Sequence, residues 1–174
     1  MTSSSKTSLL VGALLTLGIL CLAAPSTASA QEVGNSRNFG LGIALGSPSG
    51  VTAEYYLSPK NAIQGTVGLG FVGGNHLNVT VDYLYHFNLM GHAAFKLDAY
   101  AGIGAFFYNW FDDNEGEGND DKEAWGIGAR IPLGLDFLFT KLPIDVYVEI
   151  APGFALVGRT GFGISGALGF RYFF

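Results

Sequence analysis

The sequence predicts an all-β fold: a closed antiparallel up-and-down transmembrane β-barrel of about eight strands. Three observations carry that expectation. Apolar residues recur with a period of two through most of residues 31–174. Clusters of Gly, Pro, Ser and Asn break the alternation at intervals, as turns between strands do. The composition is 49% hydrophobic and 13% charged, with 26 Gly, 14 Phe and 8 Tyr, whereas soluble domains carry about 25% charged residues.

The chain opens with a segment that reads as an address. Lys6 supplies a positive start, Leu9 to Ala24 is apolar apart from Thr16 and glycines, and Ala28-Ser29-Ala30 is an A-x-A cleavage site. The run is shorter than the ~20 residues a spanning helix needs, so residues 1–30 are expected to be a cleaved secretory signal peptide and residues 31–174 the barrel. Cys21 is the one cysteine, and Leu20 stands before it where lipidation would want a small residue, so no lipid anchor is expected. Cleavage after Ala30 removes that thiol and with it any disulfide chemistry. Without Lys6 there remain eight basic and 14 acidic residues, a net of −6, which argues against a nucleic-acid partner. No apolar run after residue 30 approaches 18 residues, so no helical span is expected there.

The strands follow in order, near 39–46, 51–57, 62–71, 76–87, 93–109, 124–139, 144–155 and 161–174. The first two are short for a tilted crossing strand of ~9–11 residues. In the fourth, Leu77, Val79, Val81, Tyr83 and Tyr85 alternate with His76, Asn78, Thr80, Asp82, Leu84 and His86. The sixth alternates Trp125, Ile127, Ala129, Ile131, Leu133, Leu135, Phe137 and Phe139 with a set dominated by Gly and holding Arg130 and Asp136. The last places Phe162, Ile164, Leu168 and Phe170 on one face and Gly163, Ser165, Ala167, Gly169, Arg171 and Phe173 on the other. Small residues solvate poorly, but they suit the lumen of an eight-stranded barrel, which has room only for its own side chains. The greasy face is therefore expected to point into lipid. Pro132 and Pro152 fall inside strands and each removes a ladder donor, so a bulge or strand end is expected at each. With the N-terminus periplasmic, the longest connection, 112–123, falls outside, and Phe106, Phe107, Tyr108, Trp110, Phe111 and Trp125 beside it are expected to form an interfacial girdle.

The terminal Gly169-Phe170-Arg171-Tyr172-Phe173-Phe174, with Leu168 before it, is similar to the C-terminal signature of bacterial outer-membrane barrels. The resemblance implies an assembly signal at Phe170, Tyr172 and Phe174, with Tyr172 and Phe174 recognised by the barrel-assembly machinery. More loosely, residues 31–174 resemble the small eight-stranded transmembrane domain of the outer membrane protein A type, without its long external loops after the first and third strands and without a periplasmic peptidoglycan-binding domain.

Candidate chemistry is sparse. Glu54, Asp82, Lys96, Asp98, Arg130, Asp136, Asp145, Glu149 and Arg171 share the polar phase. Unpaired charge in a narrow lumen is costly, so they are expected to pair in a bracing network; a gated ion path is the alternative. Counting from strand ends puts Lys96, Asp136, Asp145 and Arg171 near the periplasmic rim, with Arg130 and Glu149 nearer the middle. Asp112, Asp113, Glu115, Glu117, Asp120, Asp121 and Glu123 crowd one loop. An EF-hand frame from Asp112 puts Glu117 in the Gly position, and one from Asp113 puts Ala124 in the closing Glu position, so loose divalent binding is expected rather than a specific calcium site. For a lipid-modifying enzyme, His76 and His86 lie roughly 33 Å apart along one strand, no His-x-Ser occurs, and Ser165 has no assured partner; His residues at strand ends read as interfacial. Gly68-x-Gly70-x-x-Gly73 precedes no helix and is not a dinucleotide site, and no zinc-ligand spacing occurs.

The expectation is an integral outer-membrane barrel of a Gram-negative-type bacterium with a structural or interaction role and a lumen mostly filled by side chains. A narrow porin-like channel or hydrophobic-solute carrier is the alternative, and a lipid-A-modifying enzyme comes third. No cofactor is expected; outer-membrane lipid and lipopolysaccharide are the expected surroundings.

Overall fold

The computed structural model describes residues 37–70, 76–110 and 125–174. Among them nine strands form: β1 (Phe39–Ser47), β2 (Ser49–Ser58), β3 (Asn61–Gly70), β4 (His76–Gly91), β5 (Phe95–Trp110), β6 (Trp125–Arg130), β7 (Leu133–Phe139), β8 (Ile144–Gly158) and β9 (Gly161–Phe173). Each neighbouring pair is antiparallel, and β1 pairs with both β2 and β9, so the sheet closes on itself. β6 and β7 share one place in the ring, both lying between β5 and β8. The result is a closed up-and-down barrel of eight positions with no free edge, which satisfies every strand's backbone from its neighbours. β1 and β2 run to 9 and 10 residues, longer than their turn signals indicate.

The expected inversion of faces is present. Phe162, Ile164, Leu168 and Phe170 are 69%, 62%, 49% and 42% exposed on the outside, while Thr52, Glu54, Asp82, His86, Asp136, Asp145 and Arg171 are buried within. Bulges at Leu57, Leu89 and Leu156 lie toward strand ends. The last two set neighbouring residues, Leu89 with Met90 and Leu156 with Val157, outward together.

The prolines behave differently from each other. Pro132 sits at the end of β6, in the gap before β7, yet the pairing of β5 with β6 and β7 keeps one register through it. Its carbonyl still accepts from the Gly102 amide at 2.9 Å. Pro152 corrects the expectation: it lies inside β8 with no bulge, opposite Ile164, and its carbonyl accepts from the Ile131 amide at 2.9 Å. A residue in an antiparallel pair has one donor and one acceptor, so each proline loses one bond and retains the other.

Glycines on the inner face make room for aromatic rings from the next strand. Tyr100 lies opposite Gly134, Tyr147 opposite Gly169 and Phe173 opposite Gly40. In each case the ring occupies the space a Cβ on the glycine would need. The large residues Tyr56, Leu84, Tyr100, Tyr147 and Phe173 thereby fill the end of the barrel that holds the C-terminus. Gly169→Ala is expected to destabilise the barrel by about 1–3 kcal/mol through overpacking against Tyr147. Gly161→Ala, with nothing within 4 Å of the added Cβ, serves as the control. Urea unfolding in detergent micelles reads both.

Candidate functional site

The barrel lumen is the candidate site, and strand parity builds it. Inward positions of β2, β3, β4, β7, β8 and β9 deliver Glu54, Gln64, His86, Asp136, Asp145 and Arg171 to one buried cluster. Arg171 is its hub and is 0% exposed. Its Nη2 lies 2.6 Å from Asp145 Oδ2, 3.0 Å from Glu54 Oε2 and 3.3 Å from Asp136 Oδ1. Its Nε donates to Asp145 Oδ2 at 2.9 Å and its Nη1 to Gln64 Oε1 at 2.7 Å. The guanidinium also stacks over the Tyr147 ring, 4.3 Å from its centroid. A planar fork with five donors suits this many acceptors, whereas an ammonium group would not span them.

A second cluster lies next to it. Arg130 pairs with Glu149 through Nη2 and with Asp82 through Nε at 3.0 Å. Gln64 joins the two clusters, donating to Glu149 Oε2 at 2.9 Å while accepting from Arg171. Tyr100 donates to the same Glu149 oxygen at 3.0 Å. The network therefore runs continuously from Asp82 through Arg130, Glu149 and Gln64 to Arg171 and its three carboxylates.

Beyond Arg130, toward the end of the barrel away from the chain terminus, the lumen opens into a cavity of about 330 Å³. Its wall includes Thr80, Phe106, Ser165 and Gly163, and His76, Tyr108, Trp110 and Arg159 stand at its mouth. His76 packs 4.6 Å from the Trp110 ring, Arg159 lies 5.4 Å over that ring, and Tyr108 donates to the Arg159 carbonyl. The two halves of the lumen thus differ in kind. One is filled with rings and paired charge; the other is a cup with one cationic side chain, Arg130, at its floor.

Residues 30–170 match the model of a protein family described as "Protein of unknown function (DUF3996)". The chain belongs to that family. No curated protein matches it. Among solved structures, the N-terminal β-barrel domain of OprF from Pseudomonas aeruginosa is similar to it, with a TM-score of 0.57 at 16% identity, covering 82% of this chain and 100% of that one. At that identity the likeness speaks for the fold alone, and it agrees with the closed barrel described above.

In this DUF3996 chain, eight of the nine charges expected in the lumen are buried: Glu54, Asp82, Asp98, Arg130, Asp136, Asp145, Glu149 and Arg171. Lys96 is the ninth and stays at the rim, its side chain 40% exposed and 2.7 Å from Asp98, which also accepts from Asn88 at 2.8 Å. Asp136, Asp145 and Arg171, expected near the periplasmic rim, lie close to their strand ends and are nonetheless sealed at 0% exposure. Counting residues from a strand end neglects the rings of Tyr56 and Phe173 and the Leu138 side chain, which fill that end.

The girdle expectation is corrected too. Phe106, Tyr108 and Trp110 line the cavity, because they share the parity of Asp98 and Tyr100. Phe107, opposite Val79 and Ile127, and Trp125, opposite Asn109, occupy the outward phase. A run of adjacent aromatics cannot all face lipid in a strand with period two.

His86 is likewise not interfacial; it is 2% exposed in the centre of the lumen. Its parity with Asp82 was the signal in the sequence that placed it there. Gln64, Tyr100 and Tyr147 carry the same signal and were not among the expected network residues. At the chain end, Phe170 faces outward at 42% exposure, and Tyr172 and Phe174 pack edge to face at 5.0 Å. Residues 1–36, Phe111 and the acidic residues of 112–123 lie outside the described residues.

Proposed function

We propose that this protein is an integral outer-membrane barrel with a structural or interaction role, not an enzyme, whose lumen is closed at the periplasmic half. The observation that carries the reading is the Arg171 cluster. Five buried carboxylates and two arginines cross-link five ring positions, which braces the barrel and leaves no aqueous path through that half. The apolar exterior supports lipid and lipopolysaccharide as its surroundings, since exposed Ile103, Ile131, Phe154 and Ile164 would form an oversized patch in water. Export would follow from the signal peptide at 1–30, and assembly from Phe170, Tyr172 and Phe174 read by the barrel-assembly machinery. The proton of the Ser165 hydroxyl is directed to the Ala151 carbonyl at 3.1 Å, away from any nucleophilic role. Acidic residues of 112–123 would collect divalent ions loosely.

A narrow channel is the second reading, favoured by the cavity above Arg130. Planar-bilayer recording on refolded protein separates the two. The bracing reading expects no steady conductance from the wild type; steady conductance that changes in Arg130→Ala would replace it with the channel.

A further inference from the structure

We propose that Glu54, His86 and Asp136 form a binding site for one divalent transition-metal ion of the zinc class inside the sealed half of the barrel. The geometry at His86 carries the inference. Its Nε2 lies 3.5 Å from Glu54 Oε1, 3.4 Å from Asp136 Oδ2 and 3.4 Å from the Tyr56 hydroxyl. A ring nitrogen carries at most one proton, so it cannot donate to three oxygens, and charge-assisted N–H···O bonds run to about 2.7–2.9 Å. These separations are uniform and long for charge-assisted hydrogen bonds. They match the edges of a coordination tetrahedron: ligand bonds of about 2.0–2.2 Å set donors about 3.3–3.6 Å apart. One donor atom from each of Glu54, His86 and Asp136 lies within 4.8 Å of the other two.

The surroundings fit the same reading. Each carboxylate turns one oxygen to His86 and presents an oxygen to Arg171, Glu54 through Oε2 at 3.0 Å and Asp136 through Oδ1 at 3.3 Å, with Asp136 Oδ2 also 3.3 Å from the guanidinium. Arg171 is then a positioning residue that orients the ligands from behind, as outer partners do in metal sites. Glu54 Oε1 receives no hydrogen bond and Oε2 meets the Arg171 guanidinium, although the residue is 1% exposed. Charge also counts. Glu54, Asp136 and Asp145 bring −3 and Arg171 +1, so with neutral His86 the cluster stands at −2, which one dication cancels. Sequence spacing gave no metal motif because the three ligands come from β2, β4 and β7 and meet only across the lumen.

The test uses the full mature chain refolded in detergent micelles, with zinc and cobalt(II) as probes. After dialysis, elemental analysis is expected to find one zinc per chain, and cobalt to give the intense visible bands of a tetrahedral site. In folded His86→Ala and Glu54→Gln, affinity is expected to fall at least tenfold, while His92→Ala, on the exposed β4–β5 turn, leaves it unchanged. Folding of each variant is checked by heat-shifted gel mobility. No retained metal in folded wild type overturns the proposal, and so does full retention in folded His86→Ala, which would move the ion to the acidic loop. Should His86→Ala not fold, the cobalt spectrum of the wild type decides: weak octahedral bands overturn the site. Metal binding is read independently of conductance, so either proposal can fail without the other.

Discussion

Arg171→Met is expected to destabilise the barrel by about 3–5 kcal/mol, the effect of stranding buried charge by removing its partner. The substitution leaves Glu54, Asp136 and Asp145 facing one another in the sealed half of the lumen, and it removes the donor to Gln64 that joins the two clusters. Met keeps much of the volume over the Tyr147 ring, so the loss isolates charge and hydrogen bonding rather than a cavity. Arg171→Lys is expected to recover part of the loss: it restores the charge but not the fork that reaches Asp145 through both Nε and Nη2. Asp145→Asn in the Arg171→Met background should be less harmful than in the wild type, because it relieves a stranded carboxylate; that sign of coupling is what a double-mutant cycle measures. Urea unfolding in lipid vesicles provides the numbers. A loss under about 1 kcal/mol for Arg171→Met, the scale of an exposed ion pair, would show that this cluster does not brace the barrel.

Ile103→Arg is expected to produce the second large effect, about 2–4 kcal/mol in vesicles, the range for a cation on the lipid face near the bilayer midplane. Ile103 stands near the middle of β5, 71% exposed on the outer face, between Tyr83 of β4 and Ile131 at the β6–β7 gap. The paired control is Leu142→Arg, also at an exposed apolar position, 57%, but in the turn between β7 and β8. There the cation reaches water and the change is expected to fall to about 0–1 kcal/mol. The contrast between the two sites is the informative quantity. A barrel standing in water would give both substitutions the small effects of ordinary surface changes, within about 0.5 kcal/mol. Equal and small losses would therefore remove the membrane reading while leaving the fold untouched.

Much of the fold was legible in the chain. Period-two alternation with Gly-rich inner positions is a local property, and in the fourth, sixth and last expected strands it separated inward from outward residues from the sequence of that strand alone. Where the reading failed, it set parity aside in favour of a local motif. The aromatics from Phe106 to Phe111 looked like a girdle, yet Phe106, Tyr108 and Trp110 obey the alternation and line the cavity. His86 looked like a strand-end residue, although it shares its phase with Asp82 and is as deeply buried. Pro152 looked like a defect, but one acceptor is enough to hold an antiparallel pair in register.

From the chain in isolation, then, came the class of fold, the eight places in the ring and the alternation of faces, because those depend on neighbours one or two positions away. The tertiary structure decided which inward residues touch. Gln64 meets Arg171 from 107 positions away and Glu149 from 85, and Glu54, His86 and Asp136 converge from three strands. Such meetings depend on how far each strand slides past the next as the sheet closes. That stagger is a property of the whole ring, and alternation within one strand carries no record of it.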